Sequence, residues 1–482
     1  MNRPTTKHCF SSQRPPPSAR TFSSQAVEHA IEEVSAQIAD PELAWMFSNC
    51  LPNTLDTTIK FSRDAQGRPD TFVITGDIYA MWLRDSTNQV WPYLEFAKED
   101  PALRDLLAGV VRRQTACVLL DPYANAFYAE PNPPGEGTGD IGLWKNDRTE
   151  MRPGVHERKY ELDSLCSVLQ LAHGYWKATG DTSCFDEAWL NAVRSIIATV
   201  KTEQAGTNET PGSPYVFQRT SEFPTESLAM GGHGQPRRRC GLVRSAFNAC
   251  DDSSPLPFLV PSNVMLAAML RNIVALLRAL GQDELAAETE SLADEINRAI
   301  LRHAVVRHET RGEIYAYAVN GYGSHYLMDD PGLPSLLSLP YFGCCAKNDP
   351  LYLRTRAYAL SSDNPFFIAG SRAEGICSPH PHLGIGQIWP MEIIMRAMTS
   401  ESEDEIMGCL RTLKDTHAGT GFMHESFWMD DPSRFTRSWF AWANSLFGEF
   451  ILTLSRERPH LLKRTFTPTT NCSPMRSGNN LR

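Results

Sequence analysis

Four segments of the sequence mix carboxylates with aromatic residues and with arginine, histidine or asparagine. They span residues 76–86, 156–164, 247–263 and 423–444. A single such segment is most often explained by a helix cap, an ion pair or a core aromatic. Four of them in one chain favour a shared site. The candidate side chains are Trp82, Arg84, Asp85, Glu161, Asp163, Asp251, Asp252, Asn263, His424, Glu425, Arg437, Trp439 and Trp442.

These residue types suit the cleavage of a glycosidic bond. One carboxylic acid can protonate the leaving oxygen, while a second carboxylate activates water or attacks the sugar. The sequence has no Cys-x-x-Cys pair, no zinc-binding helix motif, no Gly-x-Ser-x-Gly elbow and no phosphate-binding loop. We therefore expect neither a metal ion nor a cofactor.

The elements that must position these side chains are mostly helices. Apolar residues recur at helical spacing in many segments, and Gly281 is a stop signal between two of them. The expected helices cover 27–38, 77–99, 101–120, 161–179, 184–203, 266–280, 285–300, 349–361, 384–398, 402–413 and 438–455, and a strand is expected at 314–319. Paired helices can close into an α/α toroid or run as an open solenoid. The lack of a fixed-period repeat argues against the solenoid, so we predict an all-α single domain with its site at one mouth of the ring.

Composition sets the boundaries of this domain. Residues 1–26 are rich in Pro, Ser and Arg, and residues 457–482 are basic and lack apolar periodicity. Both segments are predicted to be disordered tails. The catalytic domain is accordingly predicted to span 27–456.

Charge and cysteine usage exclude several classes of partner. Forty-six Lys and Arg against 56 Asp and Glu give a formal charge of −10, which disfavours nucleic acids and anionic membranes. The uncharged apolar stretch at 258–270 is too short to span a bilayer. Twelve scattered cysteines and the absence of an apolar leader predict a cytoplasmic protein. The secretory pathway is the alternative if the N-terminus is incomplete.

Several motifs together resemble glycoside hydrolase family 125, the metal-independent exo-α-1,6-mannosidases. Their order along residues 30–455 also matches the family. The matching segments are 81–86, 157–164, 251–252 with 261–263, 327–330 with 334–341, 378–380, and 423–427 with 444–449.

The resemblance implies an (α/α)6 toroid and an inverting hydrolase that removes a terminal mannose from an α-1,6-linked mannoside. The general acid would be Asp251 or Asp252, with a narrow preference for Asp252, and the general base would be Glu425. His424 and Arg437 would supply positive charge or donors beside that base. By their places in the motifs, Arg84, Asp85, Glu161, Asp163, Asn263, His424 and Arg437 would line the sugar site, and Trp82, Trp439 and Trp442 would form its walls.

The sequence departs from the family pattern near the predicted acid. Residues 248–250 read Asn-Ala-Cys where the family carries Arg-Pro-Ser, and Ala318 and Asn320 stand where Glu and Asp are usual. Two alternatives therefore stay open. One is a glucosidase-like hydrolase on the same toroid, and the other is a carbohydrate-binding protein that has lost activity.

Overall fold

The computed structural model describes residues 10–131, 149, 151–380 and 384–466, and most of the residues in its regular elements lie in helices. The helices run in chain order as α1 Gln25–Gln37, α2 Pro41–Cys50, α3 Asn53–Thr57, α4 Leu83–Val90, α5 Pro101–Leu120, α6 Leu162–Thr179, α7 Glu187–Glu203, α8 Val260–Ala279, α9 Asp283–His303, α10 Pro350–Ala359, α11 Pro390–Met398, α12 Glu403–Thr416, α13 Ala441–Glu457 and α14 Pro459–Leu462.

Polar caps explain where several helices begin. The carboxylate of Asp100 accepts hydrogen bonds from the backbone of Ala102 and Leu103, and Pro101 follows at the first helical position of α5. At α12, Ser402 Oγ accepts from the backbone nitrogen of Glu405 at 3.3 Å, as its capping-box spacing predicts. These starts are therefore encoded locally in the sequence.

Neighbouring helices pack in pairs around a common interior. Helices α8 and α9 form the expected hairpin, and Gly281 joins them with a φ of 71° that favours glycine. Helix α4 packs against α6 and α13, and α6 also packs against α8. The first turns of these helices carry five of the candidate site residues, which are Arg84, Asp85, Asp163, Asn263 and Trp442.

Short antiparallel sheets connect the helices, so the all-α prediction is corrected to mostly helical. The sheets have the orders β1-β2, β3-β4-β5, β10-β9-β6, β7-β8, β11-β12 and β13-β14-β15. With two to six residues each, the strands are too short for a clear period-two signal. The strands are β1 Ile59–Arg63, β2 Pro69–Val73, β3 Met81–Trp82, β4 Ala126–Phe127, β5 Val155–Glu157, β6 Phe258–Leu259, β7 Val305–His308, β8 Gly312–Tyr315, β9 Ala318–Val319, β10 His325–Tyr326, β11 Phe367–Ala369, β12 Glu374–Ile376, β13 Gln387–Ile388, β14 Ser426–Trp428 and β15 Asp431–Thr436.

One hydrophobic cluster runs from Val27 to Phe466 and connects almost all of these elements. Helix α8 lies within it. Among the described residues, α8 is the helix that is long and apolar enough to cross a membrane, but 72% of its most apolar window is buried inside the protein. Its apolar surface is therefore satisfied by the core.

Both predicted tails contribute ordered residues to this domain, which corrects part of the boundary prediction. Residues 10–26 pack on the helices because Arg14 bonds Glu28 at 2.8 Å and Asp56 at 2.7 Å. At the other end, α13 extends to Glu457, and α14 buries Leu461. The predictions for residues 1–9 and 467–482 lie outside the described residues.

Candidate active site

A cavity lies where the first turns of α4 and α13 meet two loops. One loop precedes β14, and the other is segment 247–253. Carboxylates, arginines and tryptophans from distant parts of the chain line it. Its walls are Thr75, Ile78, Trp82, Arg84, Asp85, Ala249, Cys250, Asp251, His380, Trp389, Glu425, Arg437, Phe440 and Trp442. Seven of the thirteen residues selected from the sequence are thus brought together: Trp82, Arg84, Asp85, Asp251, Glu425, Arg437 and Trp442.

Arg84 is buried at the start of α4 and binds three carboxylates. Its Nη1 hydrogen-bonds Glu161 and lies 3.0 Å from an oxygen of Asp163, while its Nη2 lies 3.2 Å from Asp251. The guanidinium also lies 5.8 Å from the ring centroid of Trp442. Arg84 therefore ties the start of α4 to the start of α6 and to the loop that carries Asp251.

Glu161 and Asp163 lie behind Arg84 and do not line the cavity wall. Asn125 donates to Glu161 at 3.0 Å, and Ser262 donates to Asp163 at 3.3 Å. Burial raises the pKa of both carboxyls, against the opposing charge of Arg84. Glu161 and Asp163 therefore contribute to the site by holding Arg84 in place.

The loop carrying the two aspartates is held by Asn248. Its side-chain oxygen accepts from the backbone nitrogens of Cys250 and Asp252 at 3.0 Å each, and its amide donates to Asp330 at 2.9 Å. Asp251 has a φ of 63°, a left-handed conformation that aspartate tolerates better than most residues. The departure from the family pattern at 248 thus leaves a locally tied loop.

Asp251 and Asp252 differ in exposure and in partners. The side chain of Asp251 is 28% exposed and lines the cavity, whereas that of Asp252 is 2% exposed. Burial opposes ionisation of Asp251, but Arg84 and Lys159 hold its pKa below the usual range. Asp252 accepts no hydrogen bond among the described residues, and His380 Nδ1 lies 3.4 Å from its Oδ1.

His380 faces Asp252. In the sequence it belongs to the matching segment 378–380, but the sequence assigns it no role. Burial would lower the pKa of its imidazole, but Asp252 and Asp251 raise it above the usual value. The two aspartates therefore favour the protonated form of the His380 imidazole.

Glu425 precedes β14 on another wall of the cavity. Thr436 Oγ1 donates to its Oε2 at 3.1 Å, and Arg437 Nη1 lies 3.5 Å from its Oε1. Arg437 also binds Asp77, with 2.9 Å between Nε and Oδ1, and has a φ of 47°. Arg437 thus supplies the expected positive charge beside Glu425.

His424 does not supply the expected positive charge. Its ring stacks on Phe435, with centroids 3.6 Å apart, and its side chain is not part of the cavity wall. Burial lowers the pKa of His424 to about 4, so the imidazole is neutral at pH 7. The ring supports the β14–β15 hairpin beneath Glu425.

Three indole N–H groups border the cavity without a hydrogen-bond partner among the described residues. They belong to Trp82, Trp389 and Trp442. Buried donors without partners are rare, so these groups are suited to ligand hydroxyls. Two other predicted residues lie elsewhere: Trp439 donates to Thr57 at 3.2 Å, and Asn263 donates to two backbone carbonyls.

Sequence reasoning gave no role to several wall residues. Trp389 and Phe440 are ordinary aromatics in the sequence, and nothing local distinguishes them from core residues. Thr75 donates to Asp85 at 2.7 Å, a contact between a loop and a helix start that spacing does not reveal. Among these wall residues, His380 is the one that a sequence motif indicates, since it lies in the matching segment 378–380. Within the described ranges, no group of three or more His, Cys, Asp or Glu side chains is arranged to hold a metal ion.

A mostly helical fold with carboxylates and tryptophans around one cavity defines a glycosidase-like protein. The chain belongs to the family of metal-independent α-mannosidases, glycoside hydrolase family 125, whose model matches residues 40–452. The resemblance seen in the sequence is therefore confirmed. Membership of this family supports mannose-containing glycans as substrates.

Two relatives cover most of the chain. The meiotically up-regulated gene 157 protein of Schizosaccharomyces pombe is 43% identical over 94% of this chain and 90% of its own length. A metal-independent α-mannosidase of Streptococcus pneumoniae, solved in a non-productive complex with α-1,6-mannobiose, is 39% identical with a TM-score of 0.84. The match covers 91% of this chain and 100% of that one.

A more distant likeness concerns the fold alone. A bacterial glucoamylase solved with acarbose has a TM-score of 0.53 at 11% identity, over 87% of this chain and 57% of that chain. The helical architecture of this chain is therefore also found in that structure.

Proposed function

We propose that the protein is an exo-acting, inverting α-1,6-mannosidase that releases a terminal mannose, and that its paired helices form an (α/α)6 toroid. The observation that carries the proposal is one cavity bordered by Asp251, Glu425 and three unpartnered indole N–H groups. The linkage is supported by the Streptococcus pneumoniae relative, which was solved with α-1,6-mannobiose.

Exo action is supported by the burial of the cavity floor. Arg84, Asp85 and Trp442 are all buried in the first turns of α4 and α13. A site closed by packed helix starts accepts the end of a chain more readily than its middle. Asp85, Arg84 and the indole donors would hydrogen-bond the hydroxyls of that terminal unit.

Glu425 is proposed as the general base. Thr436 and Arg437 donate to its two different oxygens, which fixes the orientation of the carboxylate. A carboxylate held in this way can accept a proton from a water on the face opposite the leaving group. Inversion then requires a separation of about 6.5–9.5 Å between base and acid, which leaves room for that water.

Asp252 is proposed as the general acid, in keeping with the narrow preference from the sequence. An acid must carry a proton, and the depressed pKa of Asp251 keeps that group ionised. Asp252 instead faces His380, with 3.4 Å between Nδ1 and Oδ1, and the raised pKa of that imidazole favours its protonated form. His380 can therefore supply the proton that Asp252 passes to the leaving oxygen. Asp251 would then bind the sugar together with Arg84, and Asp252 would reach the leaving oxygen as the substrate tightens the site.

Leaving-group dependence tests this assignment. Asp252→Asn should abolish hydrolysis of α-1,6-mannobiose but keep much of the activity on an aryl α-mannoside with an acidic phenol, which departs without a proton. Asp251→Asn, the matched control, should lose activity on both substrates to a similar degree because it weakens sugar binding.

The opposite pattern, in which only Asp251→Asn is rescued by the acidic phenol, would transfer the acid role to Asp251. Failure of the unmodified protein to hydrolyse α-1,6-mannobiose, while it hydrolyses another linkage, would reject the linkage but not the mechanism.

A further inference from the structure

A second cavity of about 540 Å³ lies away from the candidate active site. It is formed by segment 91–95, by loop 341–343 and by the later turns of α6, α8 and α13. Neither the family membership nor the proposed function assigns it a role. The residues that matter to its chemistry are Trp91, Gln170, His173, Asn272, Tyr341 and Glu449.

The two cavities use opposite ends of the same helices. On α6, Asp163 binds Arg84 of the active site, and Gln170 lines the second cavity seven residues later. On α13, Trp442 and Glu449 are related in the same way. Seven residues of α-helix span roughly 10 Å, so the helix bodies separate the two sites.

Gln170 is the feature that points to a ligand. Gln170 is 4% exposed, it lines the cavity, and its Oε1 has no hydrogen-bond partner among the described residues. A buried carbonyl without a hydrogen-bond partner is unfavourable for folding. Nearby, the amide of Asn272 donates to the thioether of Met269 at 3.9 Å, and sulfur is a weak acceptor. Two amides are thus available to a bound molecule.

The remaining interior groups are polar but largely uncharged. Tyr341 donates to Glu449 at 2.8 Å, and burial raises the pKa of Glu449 to about 7. Burial lowers the pKa of His173, so its imidazole is neutral at pH 7. Amides, a phenol and a neutral imidazole suit hydroxyl groups better than ions. The ring of Trp91 adds a flat apolar wall.

Charged side chains sit at the exposed rim. Arg456 pairs with Glu95 there, and Lys177 is exposed beside them. Because Glu95 is bound by Arg456 and Glu449 by Tyr341, this cavity lacks the pair of available carboxylates that glycoside hydrolysis requires. The second cavity therefore suits binding rather than catalysis.

We propose that this cavity is a second carbohydrate-binding site, which takes one neutral polyhydroxylated ring the size of a hexose. A mostly apolar cavity of this volume with a few convergent polar groups is typical of small-molecule sites. Gln170 and Asn272 bind hydroxyls of the ring, and Trp91 packs against its apolar face.

The proposal is tested with D-mannose as the probe. Its inhibition of hydrolysis is compared with its total binding to the protein. The inhibition constant of mannose for hydrolysis of an aryl α-mannoside reports the catalytic site, and calorimetric titration reports every site. We expect calorimetry to show a second class of binding that does not affect hydrolysis. Gln170→Leu should raise the Kd of that class about tenfold and leave kcat/KM and the inhibition constant unchanged. Gln66→Leu, at an exposed loop position, is the matched control.

Three results would overturn the proposal. One is a wild-type isotherm that a single site with the kinetic inhibition constant explains. Another is a second class that survives both Gln170→Leu and Asn272→Ala, the backup if the leucine variant does not fold. The third is competition by inorganic phosphate, which would make the rim an anion site. If no α-mannoside is hydrolysed, the stoichiometry of mannose binding still decides whether Gln170 contributes to a site.

Discussion

Replacement of Arg84 by methionine should destabilise the protein in a pH-dependent way. The guanidinium binds Glu161, Asp163 and Asp251, and its side chain is 3% exposed. Methionine keeps much of the volume but leaves these carboxylates without their cation. Loss of one partner from a buried ionic cluster costs about 3–5 kcal/mol, and we expect the change in the free energy of unfolding at pH 8 to fall in that range.

The sign of the pH dependence follows from the carboxylates. Arg84 lowers the pKa of Glu161, Asp163 and Asp251, so its removal makes the folded protein bind protons more tightly. A folded state that binds more protons than the unfolded state loses stability as the pH rises. The destabilisation should therefore be smaller at pH 5 than at pH 8.

Urea unfolding monitored by circular dichroism at both pH values measures the effect. Arg63→Met is a matched control, because Arg63 pairs with Asp105 at the surface, where such pairs contribute less than about 1 kcal/mol. Arg84→Lys should fall between the wild type and Arg84→Met, since lysine keeps the charge but loses the planar fork. A loss below about 1 kcal/mol for Arg84→Met, equal at both pH values, would refute this account of the cluster.

Three further outcomes are expected. Glu425→Gln should lower kcat on an α-mannoside by about 10²–10⁴-fold, with the wild-type product appearing first as the β-anomer by NMR; an α-anomer would exclude inversion. Burial raises the pKa of Glu392 from 4.5 to about 7, so wild-type stability should fall as the pH rises from 4.5 to 7, and Glu392→Gln should remove about 3 kcal/mol of that fall. An unfolding free energy with the same pH profile in both proteins would contradict this. Incubation with a chelator should leave hydrolysis intact, and activity restored by calcium or zinc after its loss would show a metal requirement.

Helices whose ends are marked by local residues could be predicted from the sequence. Helix α5 occupies the expected 101–120, because the cap at Asp100 and the proline after it act within one turn. Helix α4 was expected from 77 but begins at Leu83. A Cβ at Gly76 would lie 2.2 Å from the backbone oxygen of Trp439, so a contact across the chain shapes this segment. Periodicity carries no information on such contacts.

The sequence motifs and their order predict which residues belong to the candidate site. Motifs gave the cluster of residues, but they did not separate the cavity wall from its support. Glu161 and His424 illustrate this limit, because one binds Arg84 from behind and the other stacks on Phe435. Their roles depend on the packing of α4 against α6 and on the register of the β14–β15 hairpin. Both are non-local properties.

The departure at residues 248–250 bears on whether the protein is an active enzyme or a binding protein. Asn248 secures the loop through two backbone nitrogens and Asp330, so the loss of the family's arginine leaves the aspartates supported. Asp252 remains buried without a hydrogen-bond donor among the described residues, apart from its ion pair with His380. A buried carboxylate in that state is unfavourable for folding, and a protein that only binds sugar gains nothing from it. In the proposed mechanism this carboxylate, next to Asp251 in the chain, transfers a proton to the leaving group, a role that a protein that only binds sugar does not need.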